Sequence, residues 1–165
     1  IVSVCSLGIA MFTSAFKSNA FKLIAVALPL AIATAAQAAG EMRLALGFAS
    51  TQASGETIGS YGLANIASRD SSGEFCLGYA DRTPDHVVIL EQDFSELTIA
   101  VNSGGADTTL LVQGPNNGTV RCNDNASRQN RDAKITDAFT KGTYQLWVGS
   151  YDQEGRHRYS LTVSE

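Results

Sequence analysis

Three sets of residues in this 165-residue chain have types and spacing that suit chemistry. The first is rich in oxygen. Asn123, Asp124 and Asn125 stand in a row, with Asp107 before them and Asp132 after. Carboxylates, amides and backbone carbonyls at that density suit a hard cation, and calcium takes about six to eight such oxygens. The same residues also populate turns, because short polar side chains hydrogen-bond their own backbone and tolerate left-handed geometry. No EF-hand loop is present, so calcium is an expectation resting on the hairpin that brings Asp107 and Asp124 to one sheet edge. The second set is aromatic. Trp147, Tyr151 and Tyr79 suit stacking against sugar rings, although aromatic side chains more often fill cores. The third set is the pair of imidazoles, His86 and His157. There is no Gly-x-Ser-x-Gly elbow and no thiol free to attack, so no nucleophile has a recognisable base beside it. His86 follows a turn and is expected to cap a strand end; His157, between Arg156 and Arg158, is expected to face solvent. The expectation is a protein without catalysis.

The chain around these residues reads as exported. Ile1 opens it and Met11 is the first candidate start. Lys17 and Lys22 precede an uncharged apolar run over 23–35, and Ala36, Gln37 and Ala38 form a small-x-small cleavage site. We therefore expect an upstream extension plus signal peptide over 1–38, removed after Ala38. A retained anchor is the alternative, but the run is short for a span, which needs ~20 apolar residues. The whole chain carries formal charge −4. The leader holds two lysines and no acid, which leaves −6 on the remainder. That balance argues against nucleic acid and against an anionic membrane surface as partner. Arg128, Arg131 and Lys134 are mixed with Asp132 and make no basic patch. Cys76 and Cys122 survive cleavage, and an even number in an exported chain reads as a disulfide. It would close a loop of roughly 45 residues, worth ~3–4 kcal/mol in the chain-entropy model. Two buried free thiols are the alternative.

The elements that position these residues are strands. In 142–150, Tyr144, Leu146 and Val148 alternate with Gln145, Trp147 and Gly149, so each set faces one side of an extended segment. One face is apolar and the other carries a large ring. A strand needing cover on both sides belongs inside a sheet. Further strands are expected over 87–90, 97–101, 107–112, 118–122, 133–138 and 157–163. Asn117-Gly118 is the strongest hairpin signal, since both residues tolerate positive φ. Residues 41–48 read as a first strand or a tail, and 57–63 as a short edge strand. The Ser-, Gly- and Ala-rich stretch 39–74 is expected to be poorly structured or to supply an edge strand. From Phe75 no ten-residue stretch keeps a 3.6 period. Short strands with turn chemistry between them predict a single all-β sandwich over 75–165.

The order of motifs also has a family likeness. Cys76-Leu-Gly-Tyr79, Pro84-Asp85, the strand 107–112, Gly114-Pro115, Cys122-Asn-Asp124, Gly142-Thr-Tyr144, Trp147-Val-Gly-Ser-Tyr151, Leu161 and Ser164-Glu165 follow one another. This series resembles the bacterial pre-peptidase C-terminal (PPC-like) domains, in particular small exported relatives that stand alone. The resemblance covers roughly 75–165 and implies a jelly-roll-like antiparallel β-sandwich without catalysis. Such domains are appended to secreted peptidases or stand alone; some bind calcium and some bind matrix polymers. Two positions depart from the pattern: Asn125 stands where relatives carry a second acid, and His86 where they carry an aromatic. The resulting expectation is a periplasmic or secreted accessory module whose partner is an extracytoplasmic protein or polysaccharide. Its alternatives are a calcium-stabilised structural domain and the accessory domain of a secreted peptidase.

Overall fold

The computed structural model describes residues 40–165. The predicted leader, with its cleavage after Ala38, lies outside the described residues. Eleven strands occur among the described residues: β1 (Glu41–Leu44), β2 (Thr51–Glu56), β3 (Tyr61–Gly62), β4 (Tyr79–Ala80), β5 (His86–Leu90), β6 (Phe94–Asn102), β7 (Thr108–Gln113), β8 (Val120–Asn123), β9 (Lys134–Phe139), β10 (Gly142–Ser150) and β11 (Arg158–Ser164). They form a seven-stranded sheet and a four-stranded sheet. The protein is an all-β sandwich.

The strand with cover on both faces is central, as its alternation predicts. β10 pairs with β7 along one side, from Gln145 opposite Gln113 to Ser150 opposite Thr108. Along its other side it pairs first with β5, over 142–146, and then at Ser150 with Tyr79 of β4. The smaller sheet runs β2-β11-β6-β9, with Leu161 opposite Val101 and Ile99 opposite Ile135. The one parallel pair sets β1 beside β5, an exception to the antiparallel pattern expected. The turn between β7 and β8 falls where the hairpin signal lies, but positive φ falls on Asn116 and Asn117 and not on Gly118. Asn is among the residues that enter this region at low strain.

Period-2 alternation divides the apolar side chains between two cores. Tyr144, Leu146 and Val148 face the smaller sheet and pack with Leu110, Val112, Leu97, Ile99, Leu161 and Val163 in the main core. Trp147 and Leu111 point the other way, into a second cluster with Leu63, Cys76 and Ala80. That cluster exists because 63–76 lies over the outer face of the larger sheet. A short 3-10 turn, Leu63–Asn65, delivers Leu63 to it. Ile66 and Ala67 add to the cover. The sandwich thus begins earlier than the expected boundary at Phe75. β1 and β2 are edge strands of the two sheets, and the remainder of the Ser- and Gly-rich stretch is an ordered layer over Trp147. A single alternating strand shows that its outer face needs cover but not which segment supplies it.

Candidate functional site

Cys76 and Cys122 are joined as a disulfide across 46 positions of sequence. Cys122 lies on β8 and Cys76 in the cover, so the bond fastens the outer layer to the sheet beneath it. The cover also comes very close to β10 at Gly149, where a Cβ would collide with the Tyr79 carbonyl oxygen and approach the Thr109 hydroxyl. Glycine at this position lets β4 lie against β10. Trp147, buried at 4% exposure, donates its indole N–H to the Arg82 carbonyl at 3.3 Å. It is therefore part of the second core, and the expectation that it offers a ligand platform is corrected. Its parity required cover, and the 63–76 layer supplies that cover.

The other two residues of the predicted aromatic set meet at the surface. Tyr79 and Tyr151 line one hollow of about 290 Å3 with Leu77, Ala64, Gly62 and the disulfide-bonded Cys76. Tyr151 is 47% exposed and Leu77 44%. Phe75, two residues before Leu77, is 59% exposed and carries the Arg69 guanidinium 3.6 Å above its ring. No ionisable carboxylate, imidazole or amine lines the hollow. It offers apolar and aromatic contact to an incoming group. Sequence reasoning singled out both tyrosines but missed Leu77, whose exposure on an otherwise apolar segment carried no signal of its own.

The residues expected to hold calcium are engaged in other ways. One carboxylate oxygen of Asp132 accepts from the Ser103 amide at 3.0 Å, from the Ser103 hydroxyl and from the Thr108 hydroxyl. Asp132 thereby fastens the β6–β7 turn to the start of β9. The Asn123 side-chain oxygen accepts from the Lys134 amide at 2.9 Å, tying β8 to β9. Asp107 has Arg131 at 3.5 Å. Its backbone carbonyl accepts from the Tyr151 amide at 2.9 Å. Asp124 and Asn125 follow β8 in the polar loop, with Asn125 exposed. Among the described residues no three carboxylates, imidazoles or thiols converge. Arg131 stands beside Asp107 Oδ2 while Oδ1 is buried without a partner among the described residues, and the Asp132 and Asn123 contacts fasten loops.

The two imidazoles are placed differently. His86 is the first residue of β5 and is 5% exposed, so it is an interior residue and not the strand cap expected. Its Nε2 lies 2.8 Å from the Tyr159 hydroxyl of β11, a contact that bridges the two sheets. Burial pushes the His86 pKa down. Burial, with the charge of Asp85, pushes the Tyr159 phenol up. Asp85, one residue before His86, joins this group. Its amide donates to Leu146 and its carboxylate accepts from the Val148 amide at 2.8 Å. Between 146 and 150, β10 has no strand along this side, and the Asp85 side chain takes the place of a ladder partner. Burial, with a smaller contribution from the charge of Asp81, raises its pKa to about 6 against the pull of the Val148 amide. His157 contributes its backbone: its amide donates to the Thr57 hydroxyl at 3.0 Å, and its carbonyl accepts from the Thr57 amide.

No protein-family model and no curated protein matches the chain. Among solved structures it is similar to the pre-peptidase C-terminal domain of a collagenase from Bacillus anthracis. That match has 16% identity and a TM-score of 0.43, over 78% of this chain and 98% of that one. It is also similar to Aeromonas hydrophila PliG, a periplasmic lysozyme inhibitor of g-type lysozyme. Here identity is 15% and the TM-score 0.40, over 76% of this chain and 95% of that one. The first is a domain of the type that the order of motifs resembles.

Proposed function

We propose that the chain is an exported, non-enzymatic accessory β-sandwich that binds a protein or polymer outside the cytoplasm through the hollow at Tyr79 and Tyr151. The observation that carries this reading is the pair Leu77 and Tyr151. Each is nearly half exposed, and both line one apolar hollow above a covalently fastened layer. Large apolar side chains grouped at a surface mark an interaction site more often than scattered ones do. A rigid base also reduces the ordering entropy that binding must overcome. The bonded Cys76–Cys122 pair supports an oxidising compartment. The commitment of His86 to Tyr159 supports a role without acid–base chemistry.

The test uses the secreted chain and a Leu77→Ala/Tyr151→Ala variant with unchanged melting temperature. Each is offered to envelope extract on a column and to a panel of polysaccharides in retardation gels. A protein or polymer retained by the wild type and lost with the variant supports the reading. Equal retention of every species by both chains rejects the hollow. Hydrolysis of substrate by the wild type, in a peptidase or glycosidase panel, rejects the non-enzymatic role.

A further inference from the structure

We propose that β2 is a self-complementary edge through which two copies of this chain join their smaller sheets. Among the described residues β2 pairs only with β11, in an unbroken register from Thr51 opposite Val163 to Glu56 opposite Arg158. The Thr57 amide donates to the His157 carbonyl in that register. Hydrogen-bonded positions alternate along an antiparallel pair. Thr51, Ala53 and Gly55 therefore point their backbone groups at β11, and Gln52, Ser54 and Glu56 point theirs outward from the sheet.

An open row of this kind is a template for another strand, and proteins usually block it with lysine, proline, a bulge or a covering group. The other edges have such features or are very short. β1 carries the Arg43–Glu41 ion pair at 2.9 Å. β3 has two residues. Arg121 of β8 reaches across to Asp137 and to the Ala138 carbonyl of β9, bridging the edges of the two sheets. β2 has the sequence Thr-Gln-Ala-Ser-Gly-Glu, with no lysine, proline or bulge, and its central side chains are small.

The occupant that fits is a second β2, because the outward-facing row specifies its own register. With Ser54 opposite Ser54 on a two-fold axis, Gln52 of each copy stands opposite Glu56 of the other. Those outer-face side chains place an amide donor across from a carboxylate, twice per pair. Ala53 stands opposite Gly55 beneath them, without steric conflict. The chain is acidic, so a register that set carboxylate against carboxylate would be opposed. This register avoids it. The closed two-fold contact leaves no further β2 edge exposed and so stops at two copies.

The test is sedimentation velocity of the wild-type chain over a concentration series reaching about 1 mM, the range suited to a contact of small area. The expected result is a monomer–dimer equilibrium. In it, amides 52, 54 and 56 gain protection from hydrogen exchange as concentration rises. Gln52→Glu sets two carboxylate pairs across the axis and should weaken association about 5-fold or more. Gln52→Glu combined with Glu56→Gln restores the amide–carboxylate pairing and should restore the wild-type constant. Ser54→Pro removes an outward amide without touching the β11 ladder and should hold the chain monomeric. The two exposed-residue variants keep the test valid if the proline variant folds poorly. A wild-type monomer throughout the series overturns the proposal. So does an association that Gln52→Glu leaves unchanged, or one that the double exchange fails to recover.

Discussion

At the scale of single residues, the Asp85 carboxyl does the work of an absent strand and is protonated more easily than an ordinary aspartate. Its pKa rises from 3.8 to about 6, chiefly because burial disfavours the ionised form. The folded chain therefore holds this proton more tightly than the unfolded chain does. The stability it contributes is full below 3.8 and is lost as pH rises through about 6. Asp85→Asn keeps an oxygen for the Val148 amide and removes the titration. The variant should gain about 1–2 kcal/mol on the wild type between pH 4 and pH 7, with some discount for partial exposure. His86 acts in the opposite sense. Its pKa is lowered by burial, so its contribution is present above the ordinary imidazole value of 6.5 and declines as pH falls below it. Urea unfolding of both chains across this range separates the two. Parallel profiles would show that Asp85 does not titrate as placed. This pair was not legible from residue order, because the partners, Val148 and Tyr159, are remote in the chain.

At the scale of elements, β10 decides what else can form, and its demands are strictest where β4 meets it. Gly149→Ala drives a methyl group into the Tyr79 carbonyl oxygen. It should destabilise the chain by about 3 kcal/mol or more, measured by chemical denaturation. Overpacking of that kind cannot relax through a side-chain rotation, since the obstacle is backbone. Loss of less than about 1 kcal/mol would mean that β4 is not held where described. Strands with a two-residue period and apolar positions on one face were legible, as in 97–101 and 157–163. By contrast β2, Thr-Gln-Ala-Ser-Gly-Glu, has no such period, and the edge strand expected over 57–63 is shifted to 51–56, with only Tyr61–Gly62 pairing in the expected range. The cover was not legible. Its Ser-, Gly- and Ala-rich composition has no period, and its order comes from Leu63, Ile66 and Cys76 burying Trp147. The same limit applies to the candidate site. Tyr79 and Tyr151 are visible as aromatic residues, but their meeting with Leu77 depends on the Ser150–Tyr79 bridge, a contact across seventy-one positions. Trp147 tests the cover directly. Its emission should be blue-shifted and resistant to iodide, and it should become quenchable in Leu63→Ala, which opens a cavity beside it and costs roughly 2–5 kcal/mol.

At the scale of the whole molecule, two cores share one pair of strands. The main core is closed by both sheets, whereas the outer one is closed by a layer fastened through a single covalent bond. Breaking that bond by Cys76→Ala/Cys122→Ala should lower stability by ~3–4 kcal/mol in the chain-entropy model. The loss should be uneven. Near-UV signal from Trp147 should disappear at a lower denaturant concentration than far-UV β signal, measured on the same samples. Coincident transitions would show that the two cores melt together. The hollow draws its walls from the outer layer, with Leu77 beside Cys76, and from Tyr151 at the end of β10. Its shape is therefore contingent on thiol chemistry: a reducing medium would loosen the hollow proposed for recognition while leaving the sandwich beneath it standing.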